Sequence, residues 1–244
     1  MRVTRVHADV ALEPGSDSLL PAATARHVAR VLRMRPGAEL IVFNGSGYDY
    51  RCKLTKIEGR EACVQVLERL RGLSESTLGL KLVQAVSRGE RMDWTLQKAV
   101  ELGVQEIAPV LSSRCVVRLD DRQTNNRMRH WTAVVASACE QSGRSVLPIL
   151  RPPTELKAYL AGPASAGTRL VLSPCGPASL AGLATIGKRV ELLVGPEGGL
   201  DENEIAAAAA TGFKTVRLGP RILRTETAGI AALAVIQALW GDLQ

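Results

Sequence analysis

In the first part of the chain, apolar and polar positions alternate in short runs: Glu39-Leu-Ile-Val-Phe43, Tyr48-Asp-Tyr-Arg-Cys-Lys-Leu54 and Ala62-Cys-Val-Gln-Val-Leu67. The breaks between them, Asn44-Gly45-Ser46-Gly47 and Glu58-Gly59-Arg60, are hairpin signals. This period of two predicts a small β-rich domain over residues 1–72, in which Gly45 and Gly47 serve a tight turn and not a nucleotide loop. The stretch Leu70 to Thr77, with Gly72, Ser74, Glu75 and Ser76, reads as a linker. From residue 73 to 244 strand-like and helix-like periods alternate. Strands are predicted near 78–86, 105–111, 168–172, 189–194 and 214–218, and helices near 90–102, 124–142, 153–161 and 226–240. Gly103 and Gly143 stop two of those helices. Asp201 and Glu204 have the spacing of a capping box for an alanine-rich helix that Gly212 ends. Such alternation predicts an α/β domain with a parallel sheet covered by helices.

Two of the predicted strands run into unusual turns. Leu192-Leu-Val194 is followed by Gly195-Pro196-Glu197-Gly198-Gly199-Leu200, and Leu218 by Gly219-Pro220-Arg221-Ile222-Leu223-Arg224-Thr225-Glu226. With one helix between them, both loops should emerge on the same edge of a parallel sheet, where open α/β sheets bind ligands. Neither loop has the G-x-x-x-x-G-K-[ST] or G-x-G-x-x-G spacing, so a nucleoside triphosphate is disfavoured. The glycines offer close backbone approach, the prolines stiffen the turns, and Glu197, Arg221, Arg224 and Glu226 bring charge.

Composition narrows the partner. The chain carries 31 Lys and Arg against 24 Asp and Glu, a net charge of +7, which points to a polyanion. Aromatic residues are only 3% of the sequence, so a nucleic-acid surface must rely on basic and polar groups more than on stacking. Arg26, Arg30 and Arg33, wound as a helix, fall on one stripe with Arg35 close behind, and Val28, Val31 and Leu32 fall on the opposite, docking face. Guanidinium groups so arranged suit successive phosphates. Five scattered cysteines without a C-x-x-C, and three distant histidines, predict a reducing cytoplasm and no metal site. The charged start and the lack of a long apolar run predict neither a signal peptide nor a membrane span.

The motifs GPEGGL (195–200) and LGPRILRTETA (218–228), with SRGERMDWTLQKAVELGV (87–104) and ACEQSGR (138–144), closely resemble the bacterial ribosomal small subunit methyltransferase E family. The resemblance covers nearly the whole chain. It implies a C-terminal trefoil-knotted parallel-sheet domain of the SPOUT superfamily and a small N-terminal PUA-like β-barrel that binds RNA. It also implies S-adenosyl-L-methionine as cofactor and N3 of a uridine in 16S rRNA of the small ribosomal subunit as target. The cofactor is then expected against Leu172, Val194, Gly195, Pro196, Glu197, Gly198, Gly199, Leu218, Gly219, Ile222, Leu223, Arg224 and Thr225. RNA is expected on Arg2, Arg5, Arg26, Arg30, Arg33, Arg35 and Arg88. The apolar terminal helix is expected at the interface of a homodimer with paired sites.

The chemistry selects the catalytic candidates. The imide proton at N3 is weakly acidic, so the rate should come from in-line positioning and stabilisation of the uridylate anion. An arginine near O2 or O4, Arg114 or Arg224, would stabilise the anion, and Glu197 or Glu226 would accept the proton. Two readings stay open for each acid: Glu197 can hold its own loop, and Glu226 can pair with Arg224. A different RNA target on the same fold, and a non-catalytic RNA-binding assembly protein, are the competing functions; the intact ligand loops speak against the second.

Overall fold

The computed structural model describes residues 3–164 and 166–243, in two compact units. One unit runs up to Glu75 and includes Ala136–Leu147; the other comprises Ser76–Val135 and the chain from Pro148 onward.

The first unit contains β1 (Arg5–His7), β2 (Asp17–Leu19), the short helix α1 (Ala22–Arg26), β3 (Glu39–Phe43), β4 (Tyr48–Glu58) and β5 (Glu61–Arg71). Its sheet has the order β1-β3-β4-β5-β2, antiparallel except for the β1–β3 pair. Alternation places Leu40, Val42, Tyr50, Cys52, Leu54, Val64 and Val66 in one buried core with Val6 and Val28. The turns follow the sequence signals. Asn44 Oδ1 accepts from the Ser46 hydroxyl at 2.6 Å, and Gly59 takes φ 59° at the first position of a two-residue loop, where primed hairpin turns need glycine.

The arginine-rich segment departs from expectation. Instead of one α-helix through residue 35, α1 widens into a π turn over His27–Val31, and Arg33 adopts φ 51°. Val28 is fully buried, but Val31 and Leu32, expected beside it on the docking face, are 65% and 37% exposed. Arg33, beyond the last helical turn, therefore leaves the stripe that Arg26 and Arg30 begin. A π turn adds a residue to the repeat and rotates everything after it.

The ACEQSGR segment falls in the first unit. Glu140 accepts from the His7 N–H at 2.9 Å, and Gly143 (φ 90°) ends the helix. The nearly buried Arg144 then forms a fork with Glu75, Nε to Oε1 at 3.1 Å and Nη2 to Oε2 at 2.5 Å. These residue types thus close a hydrogen-bonded corner around β1.

The second unit carries β6 (Gly79–Ala85), α2 (Glu90–Glu101), β7 (Glu106–Leu111), α3 (Asp121–Ser142, up to Val135), β8 (Ile149–Leu150), β9 (Thr154–Glu155) and α4 (Leu156–Ala161). It continues with β10 (Thr168–Leu172), β11 (Ala178–Ser179), β12 (Arg189–Val194), α5 (Glu202–Ala210), β13 (Lys214–Arg217) and α6 (Thr225–Trp240). The sheet is wholly parallel, in the order β11-β13-β10-β12-β6-β7-β8, with β9 on β7. Val83 and Leu193 on one face meet Leu156 and Leu160 of α4 and Ala208 of α5. Their neighbours Gln84 and Val194 point the other way, toward Gly229 of α6, which packs on α2. Helices on both faces explain why these strands read as continuous apolar runs.

Candidate functional site

Three adjacent strands, β13, β10 and β12, end together, and the chain beyond each forms a wall of one cleft. With its open mouth the cleft spans about 780 Å³ and is lined chiefly by apolar side chains and backbone. Such a lining is usual for a small-molecule site. Gly195 makes the loop after β12 possible: a Cβ there would lie 2.8 Å from the Leu200 nitrogen. The loop then turns on the Gly199 N–H, which donates to Pro196 O at 2.9 Å, with Gly199 at φ 70°. Thr225, at the start of α6, donates its hydroxyl to Gly195 O at 2.5 Å and accepts from Gln84 Nε2 at 3.1 Å. A buried glutamine on β6 therefore links both ligand loops.

Of the cofactor residues expected from the sequence, Leu172, Val194, Gly195, Pro196, Glu197, Gly199, Leu218, Gly219, Ile222, Leu223 and Thr225 line this cleft. Gly198 does not. A Cβ there would lie 3.3 Å from that of Arg114, so the missing side chain lets this loop pack closely on Arg114. Arg224 lines a smaller adjoining pocket, about 410 Å³ with its open mouth, together with Arg91, Glu197, Thr225 and Glu226. Ser173, Pro174, Ile205, Val216 and Ala228 also line the main cleft, and sequence reasoning missed them. Only strand pairing and helix docking bring them there.

The two carboxylates differ in kind. Glu197 Oε1 accepts from Arg91 Nη1 at 2.9 Å and from the Arg88 N–H at 3.1 Å. Burial pushes its carboxyl up, but its own N–H, the Arg88 N–H and the Arg91 guanidinium outweigh that and hold it below the usual carboxylate range. Glu226 is buried, with one oxygen 3.9 Å from Arg91 Nε and the other, Oε2, without a hydrogen-bond partner. Arg91, within the 87–104 motif but not singled out by sequence as a site residue, sits between the two acids. Arg114 lies behind the loop, donating Nη1 to Gly198 O at 3.0 Å, and lines neither pocket. Glu197, Arg224 and Glu226 thus converge, and Arg114 does not join them.

Among the expected RNA contacts, Arg26, Arg30, Arg33, Arg35 and Arg88 are exposed. Arg2 lies outside the described residues. Arg5, expected at the surface, is turned inward: it pairs with Asp49, donates to Arg144 O and Ser145 Oγ at 3.3 Å each, and stacks on Phe43. Its guanidinium is occupied by its own unit.

Comparison with known proteins agrees with this architecture. The RNA methyltransferase domain family matches residues 74–237 and the RNA methyltransferase PUA domain family residues 20–67. Fold and site thus place the chain among the RNA methyltransferases, with a parallel-sheet α/β domain of SPOUT type and an N-terminal PUA domain. Ribosomal RNA small subunit methyltransferase E of Buchnera aphidicola subsp. Schizaphis graminum is 32% identical over 242 residues, 99% of this chain and 98% of its own. The Bacillus subtilis protein of the same name is 30% identical over 218 residues, 86% and 85% of the two chains. This chain belongs to the ribosomal RNA small subunit methyltransferase E family. The Neisseria gonorrhoeae member bound to S-adenosyl methionine is 39% identical with a TM-score of 0.91, and a Legionella pneumophila methyltransferase in complex with the same cofactor is 36% identical with a TM-score of 0.96. Both match all of each chain.

Proposed function

We propose that this protein methylates N3 of a uridine in 16S rRNA of the small ribosomal subunit, with S-adenosyl-L-methionine as donor. The observation that carries the reading is the unpartnered Glu226 oxygen in a pocket adjoining the glycine-walled cleft. The cleft fits the cofactor: Gly195 and Gly199 bare the backbone along one wall, and Leu172, Val194, Leu218 and Leu223 offer apolar surface. When bound, S-adenosylmethionine supplies an electrophilic methyl group on a sulfonium.

The rest falls to the chain. Glu226 Oε2 accepts the N3 proton, since a buried carboxylate oxygen lacking a donor gains a hydrogen bond by doing so. Arg91 and Arg224 face the uracil oxygens and stabilise the charge that develops as the proton leaves. Glu197, already holding several donors, fixes the 195–200 loop and aims Arg91. Residues 1–72 act as the RNA-binding domain and 73–244 as the catalytic domain, with the ligand loops threaded as a trefoil knot. The protein works in the cytoplasm; among the described residues no helix is long and apolar enough to cross a membrane.

A homodimer belongs to the same reading. Trp94 on α2, Leu239 on α6 and Leu243 just beyond it are 46%, 46% and 53% exposed, large apolar side chains left uncovered on or next to two helices that pack together. The deciding experiment incubates small subunits lacking the modification with the protein and cofactor, then analyses 16S rRNA nucleosides by mass spectrometry. N3-methyluridine is expected. A methylated ribose, another base, or no methylation overturns the reading.

A further inference from the structure

We propose that the turn carrying Val31 and Leu32 is an apolar wedge that enters RNA where a helix is interrupted, with the surrounding arginines clamping the flanking phosphates. The inference rests on the rRNA reading above and adds the mode of recognition. Its first support is a conflict between sequence and structure. In a continuous α-helix, Val31 and Leu32 would stand three and four residues from Val28 and cover the same face. Val28 is fully buried in the core of its unit, so continuing the helix would bury all three. The chain does otherwise. The Leu32 N–H reaches back five residues to His27 O at 2.9 Å, and the Met34 N–H reaches Val28 O at 3.0 Å. This wider turn swings the adjacent apolar pair into solvent.

The second support is strain. Arg33 at φ 51° is the one non-glycine among the described residues in the left-handed region. An ordinary side chain is disfavoured there and is held by the structure on either side. Downstream, Met34 tucks back against the core and the Gly37 N–H reaches Leu54 O at 2.7 Å, so the tip is anchored at both ends. Widened helical turns and strained residues of this kind concentrate at functional sites.

Charge identifies the occupant. Between Asp17 and Glu39 there is no acidic residue, while Arg26, Arg30, Arg33 and Arg35 are all exposed. A second copy of this surface would be repelled. A polyanion would be attracted, but a uniform duplex offers nothing apolar to Val31 and Leu32. An RNA internal loop or junction offers both, because unstacked bases expose faces that apolar side chains can cover, and the phosphates on either side meet guanidinium groups.

The test compares binding of the full-length protein to a hairpin whose stem contains an internal loop and to an uninterrupted stem of equal length. Wild type should prefer the interrupted hairpin by about tenfold, the scale of covering two aliphatic side chains in part. Val31→Ser/Leu32→Ser should abolish the preference without changing the salt dependence of binding. Arg30→Gln/Arg33→Gln should instead flatten that dependence by roughly one to two units of log–log slope. Val31→Thr and Leu32→Gln singly, each close to its parent in size, should each lose part of the preference and stand in if the double variant fails to fold. A preference that survives in folded variants overturns the wedge. So does unchanged RNA binding accompanied by a shift in oligomeric state, which would make the tip a protein contact. A wild-type protein that binds neither RNA brings down the rRNA reading itself, a result distinct from either.

Discussion

The two acids beside the cleft illustrate what can be decided one residue at a time. Glu197 is surrounded by donors and Glu226 has an oxygen with none, so their substitutions should fail differently. Glu226→Gln keeps the shape but cannot take a proton; kcat should fall by about two to four orders of magnitude with cofactor affinity unchanged in calorimetry. Glu197→Gln loosens the 195–200 loop and should weaken cofactor binding first. The acidity of Glu197 adds a sign. Its carboxyl is held below the ordinary value by hydrogen bonds in the folded loop, so its contribution is in place above about pH 4.3, the unfolded value, and is lost as pH falls through the depressed folded value. Cofactor affinity should therefore be flat through neutrality and decline only in acid, and Glu197→Gln should remove that decline; affinity falling already between neutrality and about pH 6, where the free carboxyl is still ionised, would contradict it. Sequence offered both acids as candidates on equal terms. Hydrogen-bond occupancy separated them, and it depends on Arg88 and Arg91, over a hundred residues away in the chain.

Loops and helices show a different balance. The glycines of GPEGGL look alike in sequence, yet a Cβ on Gly195 would meet the Leu200 backbone at 2.8 Å, while one on Gly198 would meet Arg114 Cβ at the milder distance of 3.3 Å. Gly195→Ala should cost cofactor affinity by tenfold or more, on the order of the strain of a displaced loop, and Gly198→Ala should cost less; equal losses in calorimetry would refute this division. The capping box on α5 was legible because it is local, and Asp201 does accept from the Glu204 N–H at 2.8 Å while Glu204 returns to the Asp201 N–H. The partnership of that cap with Ser113 was not legible, since the Ser113 hydroxyl reaches Asp201 across 88 residues. α6 lies between these cases. Its composition is apolar almost all round, but its own chain buries only Thr225, Glu226, Gly229, Ala232, Leu233, Ile236 and Gln237, the spacing of a single face.

At the scale of the molecule, that half-covered helix bears on assembly. Ile236, though apolar and near the C-terminal end, is completely buried within its own subunit, so Ile236→Asp should unfold the protein and not divide a dimer. Leu239→Glu, at an exposed position, is the better probe. Light scattering should show a monomer with normal melting and reduced methyl transfer; a wild type that is monomeric and fully active at micromolar concentration would eliminate the shared assembly. Sequence by itself determined what is local or periodic: the hairpins of the first unit, the βα alternation of the second, the helix stops and caps, and the two glycine-rich loops whose motifs resemble one family along nearly the whole chain. Period, turn chemistry and capping act over a few residues, so they can be read in order. Tertiary structure decided which strand ends adjoin, which acid keeps a buried oxygen without a donor, and that Arg5 turns inward while Val31 and Leu32 turn out. Each of these outcomes is set by partners distant in sequence, competing for the same hydrogen bonds and the same buried volume, and no pattern along the chain encodes which partner prevails.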